Sequence, residues 1–313
     1  MLRNWWSKLS TNAPHRSRLQ RTHKQRRPLV LEALEDRCLP SAIELVGNIG
    51  VFTNNTTTDT SLALTVGATG VKAGHAIIIA FSMDPNTGVV SAADTAGNPY
   101  AIDQDVLQKP HGSPNQGVRT VILSSLGILP LVNGNTITIT YPASRAKAAS
   151  AFEVCGLNGV NALDVKKAGI GSASVLTTID NTVASGLPNT TSQANELLFG
   201  AAGVQGFLDP GAPLTGGFMA GAGYTQLTFT GTPSGNKGNN NVTIFPEYQT
   251  VAATGSFQAT GSLTTNAGGL WAIALATYKA DLATHLLVSA PGTVNGGSPF
   301  SVSVASETVI RSS

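Results

Sequence analysis

From Ala42 onward, short apolar stretches alternate with clusters of Gly, Asn, Thr and Pro. Ser61–Val66 (SLALTV) alternates strictly, which places Leu62, Leu64 and Val66 on one face of a strand. Ala76–Phe81 (AIIIAF) is a continuous apolar run, the pattern of a strand buried on both faces. Val89–Asp94 and Tyr100–Val106 flank TAGNP, a turn signal that predicts a hairpin. Val118–Leu126, Asn135–Tyr141 (NTITITY) and Ala148–Val154 follow, the last running into a loop, GLNGVNALD. Ser172–Ile179, Glu196–Val204, Tyr224–Thr230, Val242–Val251 and Leu270–Tyr278 complete the set. Gly206–Gly223 and Gly231–Asn241 read as long loops. Many short strands and no strong helix predict an all-β fold, a two-layer antiparallel sandwich.

Composition agrees. Charged residues make up 12% of the 313-residue chain, about half the usual globular share, so a solvated helix face is hard to build. The net charge of +2 conceals an asymmetry. Residues 1–40 hold nine Lys/Arg against Glu32, Glu35 and Asp36, whereas the remainder holds 10 Lys/Arg against 14 acids. A weakly acidic body gives no reason to expect nucleic-acid binding. No run approaches the ~20 apolar residues of a membrane-spanning helix.

The basic arm, residues 1–25, suits a solvated or targeting segment. Residues 28–37 read as a short helix closed by Pro40. The stretch Arg26–Ser41, RRPLVLEALEDRCLPS, resembles the LEPR-XLL type N-terminal motif of planctomycete-type surface and secreted proteins. Leu31, Glu32, Leu34, Glu35, Arg37, Leu39 and Ser41 fill that pattern, while Asp36 and Pro40 depart from it. The resemblance implies export to the cell surface or the extracellular space, with processing possible after the motif. The block Leu62–Tyr278 resembles a bacterial extracellular jelly-roll-like sandwich through LALTVGATGVKAGHAIIIAFS, VVSAADTAGNPY, NTITITY, AFEVCGLNGVNALD, NELLFGAAG and LWAIALATY. The tail ATHLLVSAPGTVNGGSPFSVSVASE resembles the opening of an Ig-like repeat, with strands at Leu286–Ser289 and Phe300–Val304. Three segments result: an arm with its export motif (1–41), a sandwich domain (42–279), and a linker with an incomplete Ig-like repeat (280–313).

Candidate chemistry is sparse. HExxH, CxxC, GxSxG and EF-hand patterns are absent from the sequence. Asp84, Asp94, Asp103 and Asp105 lie in or near turns, where loop carboxylates can gather Ca²⁺, although ordinary Asp turn chemistry explains them as well. Glu153 and Glu247 lie on strands and could form a glycosidase-type carboxylate pair. His75 and His111, with His285, could enter a triad only through the fold. Trp271, in LWAIALATY, reads as core rather than as a sugar platform. If the arm is removed on export, Cys155 loses Cys38, and the body is expected to stand on its core without a disulfide. These readings assign no catalytic, cofactor or metal residue. They lead to an exported, non-enzymatic surface or matrix protein whose partners are envelope polysaccharide or envelope proteins. The alternatives are a carbohydrate-binding module assisted by Ca²⁺, and a fragment of a larger surface protein.

Overall fold

The computed structural model describes residues 43–112, 116–172, 175–177, 189–206, 218–232, 241–263, 269–281, 286–289 and 303–306. The basic arm, the helix expected at 28–37 and the export motif lie outside these residues, as do most of the two long loops. Among the described residues every regular element is a strand. In chain order these are β1 Glu44–Asn54, β2 Asp59–Thr65, β3 Ala76–Met83, β4 Ser91–Asp94, β5 Ala101–Gln108, β6 Val118–Ser125, β7 Thr136–Ser144 and β8 Lys147–Cys155. After them come β9 Leu163–Gly171, β10 Val175–Thr177, β11 Glu196–Gln205, β12 Phe218–Ala220, β13 Thr225–Gln226, β14 Thr230–Gly231, β15 Val242–Val251, β16 Thr260–Leu263 and β17 Trp271–Lys279. The tail contributes a separate antiparallel pair, β18 Leu286–Ser289 with β19 Ser303–Ser306.

The all-β expectation holds, and among the described residues all the strand pairings are antiparallel. Two large sheets form the sandwich. One has the order β1-β8-β3-β6-β5, the other β13-β15-β11-β17-β9 with β14 also on β15. Each carries a three-stranded sheet on its outer face, β2-β7-β4 on the first and β10-β16-β12 on the second. The body therefore consists of two halves with one connectivity. Counted from its own first strand, each half has a large sheet ordered 1-8-3-6-5 and a small sheet ordered 2-7-4, if β13 and β14 count as one interrupted fifth strand. This is a jelly-roll-like path run twice.

Packing explains the apolar runs. Every residue of β3, β6, β8 and β11 is buried, because the large sheets are covered on both faces. Between the halves lie Ile78, Ile122 and Phe152 of the first, with Leu197, Phe199 and Ile244 of the second. Phe152 and Phe199 meet at 5.9 Å. The first half closes its own core with Ile77, Ile79, Phe81, Leu64, Ile137 and Ile139, and the second with Leu198, Phe245, Trp271, Ile273, Phe218 and Leu263. Gly203 of β11 permits close approach of the halves: a Cβ there would lie 2.2 Å from Thr120 Oγ1 and 2.3 Å from Ser82 Oγ.

Some expectations change. β4 and β5 form no hairpin, since β4 pairs with β7 and β5 with β6. The TAGNP turn instead carries the chain between sheets. Asp94 Oδ1 accepts from the backbone N–H groups of Ala96 (3.0 Å) and Asn98 (3.1 Å), and Gly97 takes a φ of 81°. β1 and β9, where the sequence pattern predicts no strand, are edge strands. Register shifts at Leu45/Gly47, Asn48/Gly50 and Ala276/Tyr278 break their alternation. Of the strand expected at Ser172–Ile179, the described part is β10, Val175–Thr177, and Tyr224–Thr230 splits into the short β13 and β14.

Candidate functional site

The acidic residues singled out for Ca²⁺ do not converge. Asp84 accepts from the backbone N–H of Arg145 (2.7 Å) and Ala146 (2.9 Å), and burial raises its pKa. Asp94 is occupied by its turn and by the hydroxyl of Tyr100 at 3.0 Å. Asp105 forms a two-point ion pair with Arg119 (Nε 2.9 Å, Nη2 2.5 Å), and Arg119 also donates to the carbonyls of Asn86 and Gly88. Asp103, on β5, accepts from the Tyr278 hydroxyl of β17 at 2.5 Å, a polar tie between the halves. Burial pushes both groups up, so each holds its proton more tightly than usual. Among the described residues no group of three or more His, Cys, Asp or Glu could hold a metal ion.

Glu153 and Glu247 stand on different sheets with different partners. Glu153 accepts from His75 Nδ1 at 2.7 Å and from the Lys72 backbone N–H at 2.8 Å. A carboxylate and imidazole so placed are two parts of a triad. The serine level with Glu153 across the sheet is Ser125, paired with Ile77, which in turn pairs with Glu153. That separation is two strand spacings, about 10 Å, and the Ser125 hydroxyl is buried without a hydrogen bond. The dyad therefore ties the turn before β3 to the end of β8. His111 sits in an exposed turn after β5, and His285 lies outside the described residues.

Comparison with protein-family models, curated proteins and solved structures found no match.

Sequence reasoning missed three further features. Lys147 is fully buried, and its ammonium meets Asp59 Oδ1 (2.7 Å), the Thr57 carbonyl (2.7 Å) and the Ser144 carbonyl (3.2 Å). Burial would raise the pKa of Asp59, but hydrogen bonds from Lys147, Tyr141 and Thr57 outweigh it, and the net shift is downward. Second, two carboxyl groups lie buried in the second half. Glu247 is 1% exposed; burial pushes its pKa up to about 7, against N–H donation from Gly221 and Thr260. Oε2 accepts from Gly221 at 3.2 Å, and Oε1 has no partner. Gly200, opposite on β11, makes the room, because a Cβ there would lie 2.8 Å from Glu247 Cγ. Glu196 is also pushed up to about 7, by burial first and by the nearby Asp164 carboxylate. Its oxygens make no hydrogen bond of ordinary geometry, although the Asp164, Thr277 and Gln193 groups lie close enough to bias its proton. Both carboxyls are buried, Glu196 at 0% exposure and Glu247 at 1%.

The third feature is at Cys155, which is 2% exposed at the end of β8 and disulfide-bonded. This corrects the expectation of a bond-free body. The one other cysteine in the sequence, Cys38, lies outside the described residues, as do Leu31, Glu32, Leu34, Glu35, Arg37, Leu39 and Ser41. Trp271 is 3% exposed within the core of the second half, with its indole N–H unpartnered. No helix among the described residues is long and apolar enough to cross a membrane.

Proposed function

We propose that the chain is an exported, non-enzymatic β-sandwich protein of the cell surface or extracellular matrix, with an adhesive or structural role. The observation that carries the reading is the disulfide at Cys155. Disulfides persist in oxidising compartments and are rare where cytosolic reductants keep thiols reduced. The basic arm and the motif Leu31, Glu32, Leu34, Glu35, Arg37, Leu39 and Ser41 supply an address in the same direction. The body adds a second argument. His75, Glu153, Asp94, Asp103, Asp105 and Lys147 each serve an internal tie, as expected of a module that holds together rather than turns over a substrate. Its partners are envelope polysaccharide or other envelope proteins.

The test is fractionation of a tagged protein expressed with and without residues 1–41. Recovery outside the cytoplasm only when the arm is present supports the reading. Equal export of both forms refutes the address, and cytoplasmic retention of the full chain refutes the function.

A further inference from the structure

We propose that Asp164 and Glu196 hold a Ca²⁺ ion at one end of the second half, with the hydroxyls of Thr277 and Ser192 beside them. The backbone brings the two carboxyls together. Glu196 opens β11 and stands opposite Lys279 of β17. The register shift between β17 and β9 leaves Asp164 and Val165 to face Thr277, because Ala276 pairs with Lys166 and Tyr278 with Leu163. Such an extra residue re-aims the side chains around it, and here the Val165 N–H donates to Thr277 Oγ1 at 3.0 Å. Asp164 and Glu196 then lie within hydrogen-bonding reach of each other. Just before Glu196, Asn195 takes a φ of 60°, the one non-glycine residue in the left-handed region among those described. Its carbonyl accepts from the Ala280 N–H at 3.0 Å, which fixes the entry to β11.

The state of Glu196 is the second, independent observation. The residue is 0% exposed, and neither of its carboxylate oxygens has a hydrogen-bond partner. Asp164 is held from its other side: the Ser192 N–H donates to Oδ2 at 2.5 Å and the Ser192 hydroxyl to Oδ1 at 2.6 Å. Two carboxylates facing each other inside a protein need a proton or a cation between them. A shared proton serves one Glu196 oxygen and leaves the other orphaned. A cation bound by both oxygens serves the pair. The Lys279 ammonium does not fill that place. It lies 4.0 Å from Asp164 Oδ1 on a side chain 25% exposed, and it makes no bond to Glu196.

The donor set selects the ion. It consists of carboxylate and hydroxyl oxygens without His or Cys, which suits a hard cation rather than zinc or copper. Mg²⁺ keeps several of its waters, and a carboxylate closed off from solvent gives them no room. Ca²⁺ accepts irregular sets of oxygens and bidentate carboxylates. With two carboxylates, the site falls outside the pattern of three or more acidic, imidazole or thiol groups. Bound there, the ion would join the start of β11, the start of β9, the end of β17 and the turn at Ser192.

The test is calorimetric titration of Ca²⁺ into the full chain, stripped with EDTA and dialysed at pH 8, with thermal melts alongside. The expected result is a single saturable site with a Kd at or below ~10⁻³ M, the weak end for extracellular Ca²⁺ modules. At ~10 mM Ca²⁺ the Tm should then rise by about 3–6 °C. Mg²⁺ at the same concentration should give neither the heat nor the rise. Glu196→Gln, which keeps the side-chain volume, should abolish both responses to Ca²⁺. Asp164→Asn, a second variant, should weaken binding at least ~10-fold by removing one ligand charge. A flat titration of the wild type with an unchanged Tm overturns the proposal whether or not the variants fold. So does an equal response to Mg²⁺, or a Glu196→Gln chain that binds Ca²⁺ as the wild type does. Export is read separately by fractionation, so the site and the location stand or fall apart.

Discussion

Glu247 gives the account a quantitative handle. Its carboxyl sits between β15 and the small sheet β10-β16-β12, where burial raises its pKa from 4.5 to about 7. The folded state then holds this proton more tightly than the unfolded chain does. Its contribution is fully present below about pH 4.5 and is lost as pH rises towards 7, beyond which the loss is complete. The shift corresponds to about 3 kcal/mol at ~1.4 kcal/mol per pH unit. Glu247→Gln removes the titration and leaves the side-chain shape, with its amide oxygen able to accept from Gly221. The buried Glu196, raised in the same direction, remains in the variant, so the difference between proteins isolates Glu247. The assay is urea unfolding at pH 5 and pH 8. The wild type should lose about 2.5 kcal/mol more than the variant across that interval, the remainder being lost already below pH 5. Parallel losses in both proteins would refute the claim that Glu247 is buried as a neutral acid.

Other predictions test the frame. Gly203→Ala places a methyl against Thr120 and Ser82 at the join between the halves, and should cost about 1–3 kcal/mol in chemical unfolding. Lys147→Ala leaves Asp59 and two carbonyls without their cation, and should cost about 3–5 kcal/mol by the same measurement. Residues 43–155 expressed alone would expose Ile78, Ile122 and Phe152, and should aggregate or bind an apolar dye where the full chain does not.

The strands that were easiest to read were those buried on both faces. AIIIAF in β3 has no polar residue to confuse the period, LWAIALATY across β17 has Thr277 and the Tyr278 hydroxyl only near its end, and Val242–Val251 matches its strand at both ends. Edge strands were harder. β1 contains Gly47, Asn48 and Gly50 around its register shifts, and β9 carries the exposed Lys166 beside the half-buried Lys167, so neither keeps a period of two. The Asp94 turn has the composition of a hairpin. Only the pairing of β4 with β7 shows that it crosses between sheets. The doubled connectivity was hidden because HAIIIAFS and NELLFGAAG share apolar character but few residues at equivalent places. The buried acids were illegible for a related reason: Glu247 owes its environment to Gly200 and Tyr224, which are distant in the chain. The bond at Cys155 escapes a reading in which the arm leaves on export and takes Cys38 with it.

The proposed function places this body outside the cell. Protease added to intact cells expressing a chain tagged within the body tests it most directly. The account predicts that the tag is digested, or found in the medium, while a cytoplasmic marker survives. A tag that resists the protease until the cells are lysed would contradict it.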